Sequence, residues 1–184
     1  FMDIAEAPQD LFCNNTVYTL LNNVSISGQT AYNITGYNTT LDCNGHTTTG
    51  TGAETIMRIK QTNATIRNCI FENFDDAIVV TKSVGTIENT TLITGGRGIY
   101  LDYKISNYNM NGINITNLTS TGIYIDAGYN FSIDCKGGEL GGTYDGGQGV
   151  YISGYDDYDQ TNVTVRNCFI HDWPAGGITA TSSG

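Results

Sequence analysis

Short aliphatic stretches recur along the whole chain, each a few residues long and bounded by Gly, Asn or Asp. "NATIRNCIF" (63–71) and "NVTVRNCFI" (162–170) write nearly the same nine residues twice. Looser copies begin at Asn38 ("NTTLDC"), Asn114 ("NITNLT") and Asn130 ("NFSIDC"). Aligned on the central aliphatic residue they give Leu41, Ile66, Ile87, Ile115, Ile133 and Val165, at intervals of 25, 21, 28, 18 and 32. A second phrase falls between them: "TIMRI", "AIVV", "GIYL", "GIYI", "GVYI" and "GGIT". Its aligned residues are Ile56, Ile78, Ile99, Ile123, Val150 and Ile178, spaced by 22, 21, 24, 27 and 28. Each phrase is short, rich in β-branched residues and alternates apolar with polar positions, which predicts strands.

Two strand signals sharing a period of about 25 residues mark a repeat architecture. Without helices between them, such strands wind into a β-solenoid whose turns stack as parallel strands about 4.8 Å apart. Six turns at that rise give an axis of roughly 29 Å. A sandwich of antiparallel hairpins would instead need turn signals every 8–12 residues, about half the observed spacing. The equivalent aliphatics, Ile66 and Val165 among them, are expected to face a continuous interior column. "GGELGGTYDGGQG" (137–149), with its many glycines, is expected to form an outward loop. Residues 1–17 read as an arm or cap and 18–184 as the solenoid. The closing "GGITATSSG" follows a strand, so the stack is expected to continue in a longer chain or in another subunit.

Composition narrows the function classes. The 184 residues carry a formal charge of −10 with eight Lys and Arg, so an electronegative surface excludes nucleic acid as a partner. No apolar run approaches the roughly 20 residues of a membrane span. The chain opens on Phe1, so the initiator and any export signal are expected to be absent or already removed. Helix-forming residues are scarce beside Gly, Thr and Asn, in keeping with an all-β chain. Ten of the 19 Asn begin an N-x-[ST] sequon, more than twice what random placement gives. They are Asn14, Asn23, Asn33, Asn38, Asn63, Asn89, Asn114, Asn117, Asn130 and Asn162. In an exported protein these are candidate glycan acceptors. A repeat that favours Asn in turns and Thr in strands would also generate sequons.

"YTLLNNVSIS…ITGYNTTLDCNGHTTTG" (18–50), "NATIRNCIFENF" and "GIYL/GIYI" together resemble the right-handed parallel β-helix repeat family. That family includes NosD-like and pectin-lyase-like proteins and is common on archaeal and bacterial surfaces. The resemblance covers nearly the whole chain and implies a right-handed parallel β-helix of about six coils. It leaves function open, because the fold hosts lyases, hydrolases, binding modules and structural proteins.

Cys43 and Cys69 take equivalent places in neighbouring coils, as do Cys135 and Cys168. Each pair forms either a disulfide or part of an inward ladder of thiols. Cys13 is left over, and no C-x-x-C pair suggests zinc. Polygalacturonases carry an RIK triplet and paired aspartates, and "MRIK" (57–60) and "FDDAI" (74–78) resemble these. Here their order is reversed, and the family's GHG histidine motif has no counterpart. Lyase chemistry needs calcium carboxylates and a base. Asp156, Asp157 and Asp159 of "GYDDYDQ" are the calcium candidates, and no other cofactor is expected. Arg58, Arg67, Arg97 and Arg166 are scattered over different coils, and His46 and His171 do not make a copper set.

Alternation turns Ile and Leu of "GIYL" inward and Tyr100 outward, and likewise exposes Tyr124 and Tyr151. These three are expected to form an outer column suited to sugar stacking, subunit contact or simple lateral packing. Tyr103, Tyr108, Tyr129, Tyr144, Tyr155 and Tyr158 are expected in adjoining loops. The expectation is a non-catalytic extracellular structural or adhesive β-helix of a cell-surface layer, sheath or filament. It would be glycosylated and self-associating. A carbohydrate-binding or polysaccharide-cleaving module is the alternative.

Overall fold

The computed structural model describes residues 1–61, 63–81, 84–102, 105–126, 128–154 and 162–182. Among these there are strands and turns and no helix. Parallel ladders sort the strands into three faces of a β-solenoid of about six turns.

The first face stacks Met2–Ile4, Val17–Leu20, Thr40–Asp42 and Ala64–Arg67, then the opening residues of Gly85–Leu101 and of Ile105–Leu118. It closes with Gly128–Asp134 and Val163–Arg166. The second face runs from Val24–Ser25 through Thr47–Thr49 and the start of Ile70–Val80 to Glu139–Gly142 and Phe169–His171. The third runs from Gln9–Leu11, Tyr32–Ile34 and Thr55–Ile59 to Ile123–Ile125, Val150–Gly154 and Ile178–Ser182. Six three-sided turns thus lie between a two-stranded opening turn and a final turn that is again three-sided. Residues 2–4 and 9–11 pair with Tyr18–Leu20 and Tyr32–Ile34, so the opening segment adds a rung to the stack.

Equivalent inward residues form the core. On the first face Leu41, Ile66, Ile87, Met110, Ile133 and Val165 follow one another in register. The first four and Ile133 are fully buried, and Val165 is half-buried. Ile115, expected in this column, stands instead on the second face between Leu92 and Leu140. Its phrase misleads because Asn114 has ordinary negative φ, whereas the bend before the first face in that turn is Asn107, at φ 54°, whose "NYNM" carries no Thr. On the third face Tyr32, Met57, Ile78, Ile99, Ile123, Val150 and Ile178 are in register, with Met57 where Ile56 was expected. Both Ile56 and Met57 are buried, so hydrophobicity alone could not choose between them. The glycine-rich stretch also differs from expectation. Its Glu139–Gly142 part is a strand of the second face, with Leu140 buried.

The corners explain the asparagines. Among the described residues sixteen non-glycine residues have positive φ, and twelve of them are Asn. Asn tolerates this left-handed conformation better than other L-residues because its short amide bonds locally. All sixteen fall at three recurrent bends. Asn15, Asn38, Asn63, Val84, Asn107, Asn130 and Asn162 precede the first face. Asn44, Asn68, Asn89, Lys136 and Asn167 separate the first face from the second. Asn73, Thr94, Asn117 and Asp172 follow the second.

The doubled phrase also acquires a reason beyond core packing. Arg67 Nε donates to Asp42 Oδ2 at 2.8 Å, Asn68 Nδ2 to Asp42 Oδ1 at 3.0 Å, and Cys69 is disulfide-bonded to Cys43. Arg166 Nε donates to Asp134 Oδ2 at 2.9 Å, Asn167 Nδ2 to Asp134 Oδ1 at 3.1 Å, and Cys168 is disulfide-bonded to Cys135. Each "RNC" is therefore the upper half of a clasp whose lower half, "DC", lies one turn below. The backbone N–H of Asn44 or Lys136 completes each aspartate's set at 3.0 Å. Burial opposes ionisation of Asp42, but the bonds from Asn68, Asn44 and Arg67 outweigh it and hold the carboxyl below its ordinary range. The disulfides close loops of 26 and 33 residues, worth about 3–4 kcal/mol each on loop-entropy grounds. The ion pairs, with arginines 39% and 61% exposed, add little beside them.

Candidate functional site on the outer third face

Outward positions of the third face stack Asp10, Asn33, Arg58, Val79, Tyr100, Tyr124, Tyr151 and Thr179 in register. The three tyrosines form the expected column. Tyr100 and Tyr124 meet edge to face, ring centroids 5.2 Å apart, and Tyr124 and Tyr151 are tilted at 5.0 Å. Such edge contacts are favourable in themselves, and they keep the rings from making one flat platform. The Arg97 guanidinium lies 4.0 Å from the centroid of Tyr100 and is held there by Asp76, through Nε at 2.8 Å and Nη2 at 3.2 Å. One face of Tyr100 is therefore taken by a cation of its own chain.

On the other side of the column Asp102 and Asp126 follow Tyr100 and Tyr124 by two residues and stand on adjacent turns. Tyr100 donates its hydroxyl to Asp102 Oδ1 at 3.3 Å. Burial, with the nearby Asp102 and Asp126 charges, pushes the Tyr100 phenol up to about 12. Burial and the charge of Asp102 also raise Asp126. The repeated "YLD" and "YID" carried this pairing in the sequence, but hydrophobic alignment passed over it.

The remaining tyrosines divide. Tyr144 is exposed in a turn, whereas Tyr129, though exposed, lies in the strand Gly128–Asp134, and Tyr108 is buried in the first face between Gly85 and Phe131, so neither of these two is a loop residue. The alternation of Tyr108 with buried Met110 explains its inward turn, and burial raises its phenol. Tyr103, Tyr155 and Tyr158, and the calcium candidates Asp156, Asp157 and Asp159, lie outside the described residues.

The two enzyme-like motifs come together on the third face: Asp76 pairs in register with Thr55, and Arg58 with Val79. Asp76 is engaged by Arg97, Arg58 Nη2 donates to Thr55 Oγ1 at 3.1 Å, and Asp75 is exposed. His46 sits at a distant bend against Asn23 Oδ1. His171 is held on the second face, with Nδ1 2.8 Å from Asp172 and Nε2 3.2 Å from Glu139 one turn below. The Asp172 contact and then Glu139 raise the imidazole above its ordinary value, against the opposing effect of burial. Gly141 makes room for this ring, since a Cβ there would stand 3.0 Å from it.

The ten sequon asparagines also divide by place. Asn38, Asn63, Asn130 and Asn162 occupy the bend before the first face, where their side chains hydrogen-bond from turn to turn. The sequon's third residue is there the outward residue of the first strand, as Thr40, Thr65, Ser132 and Thr164 show. Asn89 and Asn117 sit at the other two bends. Asn14, Asn23, Asn33 and Asn114 have ordinary negative φ. Asn14, Asn23 and Asn114 each accept a backbone N–H through Oδ1.

No known family model, curated protein or solved structure matches this chain.

Proposed function

We propose that this chain is an exported, non-catalytic structural or adhesive β-helix of a cell-surface layer, sheath or filament. The type it resembles is that of NosD-like and pectin-lyase-like surface proteins. The pair of cross-turn disulfides carries this reading, because such bonds form and persist in oxidising, extracytoplasmic compartments. The ten sequons suit the same compartment. The tyrosine column is the contact surface for another copy of the chain: three aromatic rings in a row are apolar and only partly covered.

Simultaneous replacement of Tyr100, Tyr124 and Tyr151 by Ser tests this. Sedimentation and electron microscopy are expected to show weakened assembly while circular dichroism retains the strand signal. Assembly unchanged in a folded triple variant overturns the contact role. A carbohydrate-binding or carbohydrate-cleaving role is the second reading, favoured by the carboxylates Asp102 and Asp126 beside the column. Release of reducing or unsaturated sugar ends from acidic polysaccharides would replace the first reading with the second.

A further inference from the structure

Glycan acceptors are set by the asparagine's Nδ2, because that nitrogen forms the bond to the sugar. Asn38 Nδ2 donates to Asn15 Oδ1 at 2.8 Å, and Asn63 Nδ2 donates to Asn38 Oδ1 at 2.8 Å. Asn130 Nδ2 donates to Asn107 Oδ1 at 3.0 Å, and Asn162 Nδ2 to Asn130 Oδ1 at 3.1 Å. These are two continuous amide ladders, each three asparagines long. They are separated at Val84, which occupies the same bend. The ladder members need Asn for positive φ and for both ends of the amide, so their sequons follow from the fold itself.

We infer that N-linked glycosylation is partitioned by this ladder: Asn14, Asn23 and Asn117 carry sugar, and Asn38, Asn63, Asn130 and Asn162 do not. The inference rests on the exported reading above. In the transfer step Nδ2 displaces the pyrophosphate ester of an activated glycosyl donor. The N–C1 bond forms, the C1–O bond breaks, the pyrophosphate ester leaves and Nδ2 gives up one proton. In the folded chain a ladder nitrogen must first abandon its bond to the turn below and leave its bend. Where transfer precedes folding, the attached sugar must fit into a stack whose rungs repeat about every 4.8 Å. A pyranose ring with its hydroxyls is wider than that spacing, so it crowds the asparagine above or below. Asn14, Asn23 and Asn117 escape the first of these constraints, since no described hydrogen bond holds their Nδ2 to a neighbouring turn. All three are exposed, and the first two meet the backbone through Oδ1.

Glycopeptide mass spectrometry of the protein purified from its own source tests the partition site by site. Sugar is expected on peptides containing Asn14, Asn23 or Asn117, and bare asparagine at the four ladder sites. Sugar on ladder sites would overturn the partition while sustaining the glycoprotein reading. A chain bare at every site would overturn both. Melting curves add an arm that needs no sugar. Asn63→Gln and Asn130→Gln, at positive φ within the ladders, are expected to lower the melting temperature more than Asn14→Gln and Asn23→Gln, which disturb only exposed contacts through Oδ1. Ladder variants as stable as the parent would remove the physical basis of the partition.

Discussion

The two clasps are built from the same residues and bonds, yet they sit in different surroundings. Around Asp42 and Arg67 a further turn covers the upper half: Ile66 pairs with Ile87, and both Ile66 and Cys69 are buried. Around Asp134 and Arg166 no described turn lies above. Val165 and Cys168 are only partly buried, Arg166 is 61% exposed, and Phe169 is 66% exposed. Bond lengths agree between the copies within 0.1 Å. The nine-residue phrase therefore specifies the clasp, and the neighbouring turn specifies how much that clasp contributes to the core.

Truncations at equivalent positions test this difference most strongly. Ile66→Ala should cost about 2–5 kcal/mol through cavity formation, and Val165→Ala about 1 kcal/mol or less, both read by denaturant unfolding. Equal costs would show that the last turn is as enclosed as the middle. Removing the inner disulfide by a Cys43→Ser, Cys69→Ser double change should cost about 3–4 kcal/mol. The same change at Cys135 and Cys168 should cost about as much on loop-entropy grounds, since that bond closes a loop of 33 residues rather than 26.

Two buried tyrosines sharpen the contrast between satisfied and unsatisfied interiors. The Tyr32 hydroxyl lies 3.0 Å from Thr48 Oγ1, whereas the Tyr108 hydroxyl is buried with no hydrogen-bond partner among the described residues. Tyr108→Phe should raise stability by about 1–2 kcal/mol, and Tyr32→Phe should lower it by about 1 kcal/mol, in parallel melts. Val84 is a similar local conflict, a β-branched residue at φ 69° among asparagines. Val84→Asn should gain about 1 kcal/mol by removing the strain and joining the two ladders.

The smallest effects concern pH. Glu54 is buried and holds its carboxyl at about 2, through the Thr51 hydroxyl first, then the Gly28 and Thr51 N–H groups. Its folded value lies below the ordinary 4.5, so its contribution is complete above pH 4.5 and is lost as pH falls toward 2. Glu54→Gln should flatten the acid limb of a stability titration in that window. His171 runs the other way. Its folded value is raised above 6.5, so its contribution is complete below 6.5 and fades as pH rises through the folded value. Amide exchange in residues 163–182 should accelerate over that range in the parent and less so in His171→Gln.

Much of the fold was legible because period and register are written in the same letters. Ile66, Ile99, Ile123 and Val150 fall where alternation and spacing put them. Where two phrases looked alike, as at Ile115, or two apolar residues were adjacent, as at Ile56 and Met57, the pattern was degenerate and a backbone was needed. The tyrosine column followed from alternation. Arg97 over Tyr100, Asp102 beside Asp126 and the amide ladders did not, because each depends on side-chain direction and the last two join residues about one turn apart. The clasps lay between these extremes. The repeated "RNC" was visible, and its "DC" partner one turn away was recognised only through the cysteines.

Disulfide mapping by peptide mass spectrometry under non-reducing conditions, with free thiols blocked on collection, tests the exported, clasped solenoid most directly. Cys43 is expected to be linked to Cys69, Cys135 to Cys168, and Cys13 to carry the blocking group. Blocking groups on all five cysteines, or linkage between the two clasps, would contradict it.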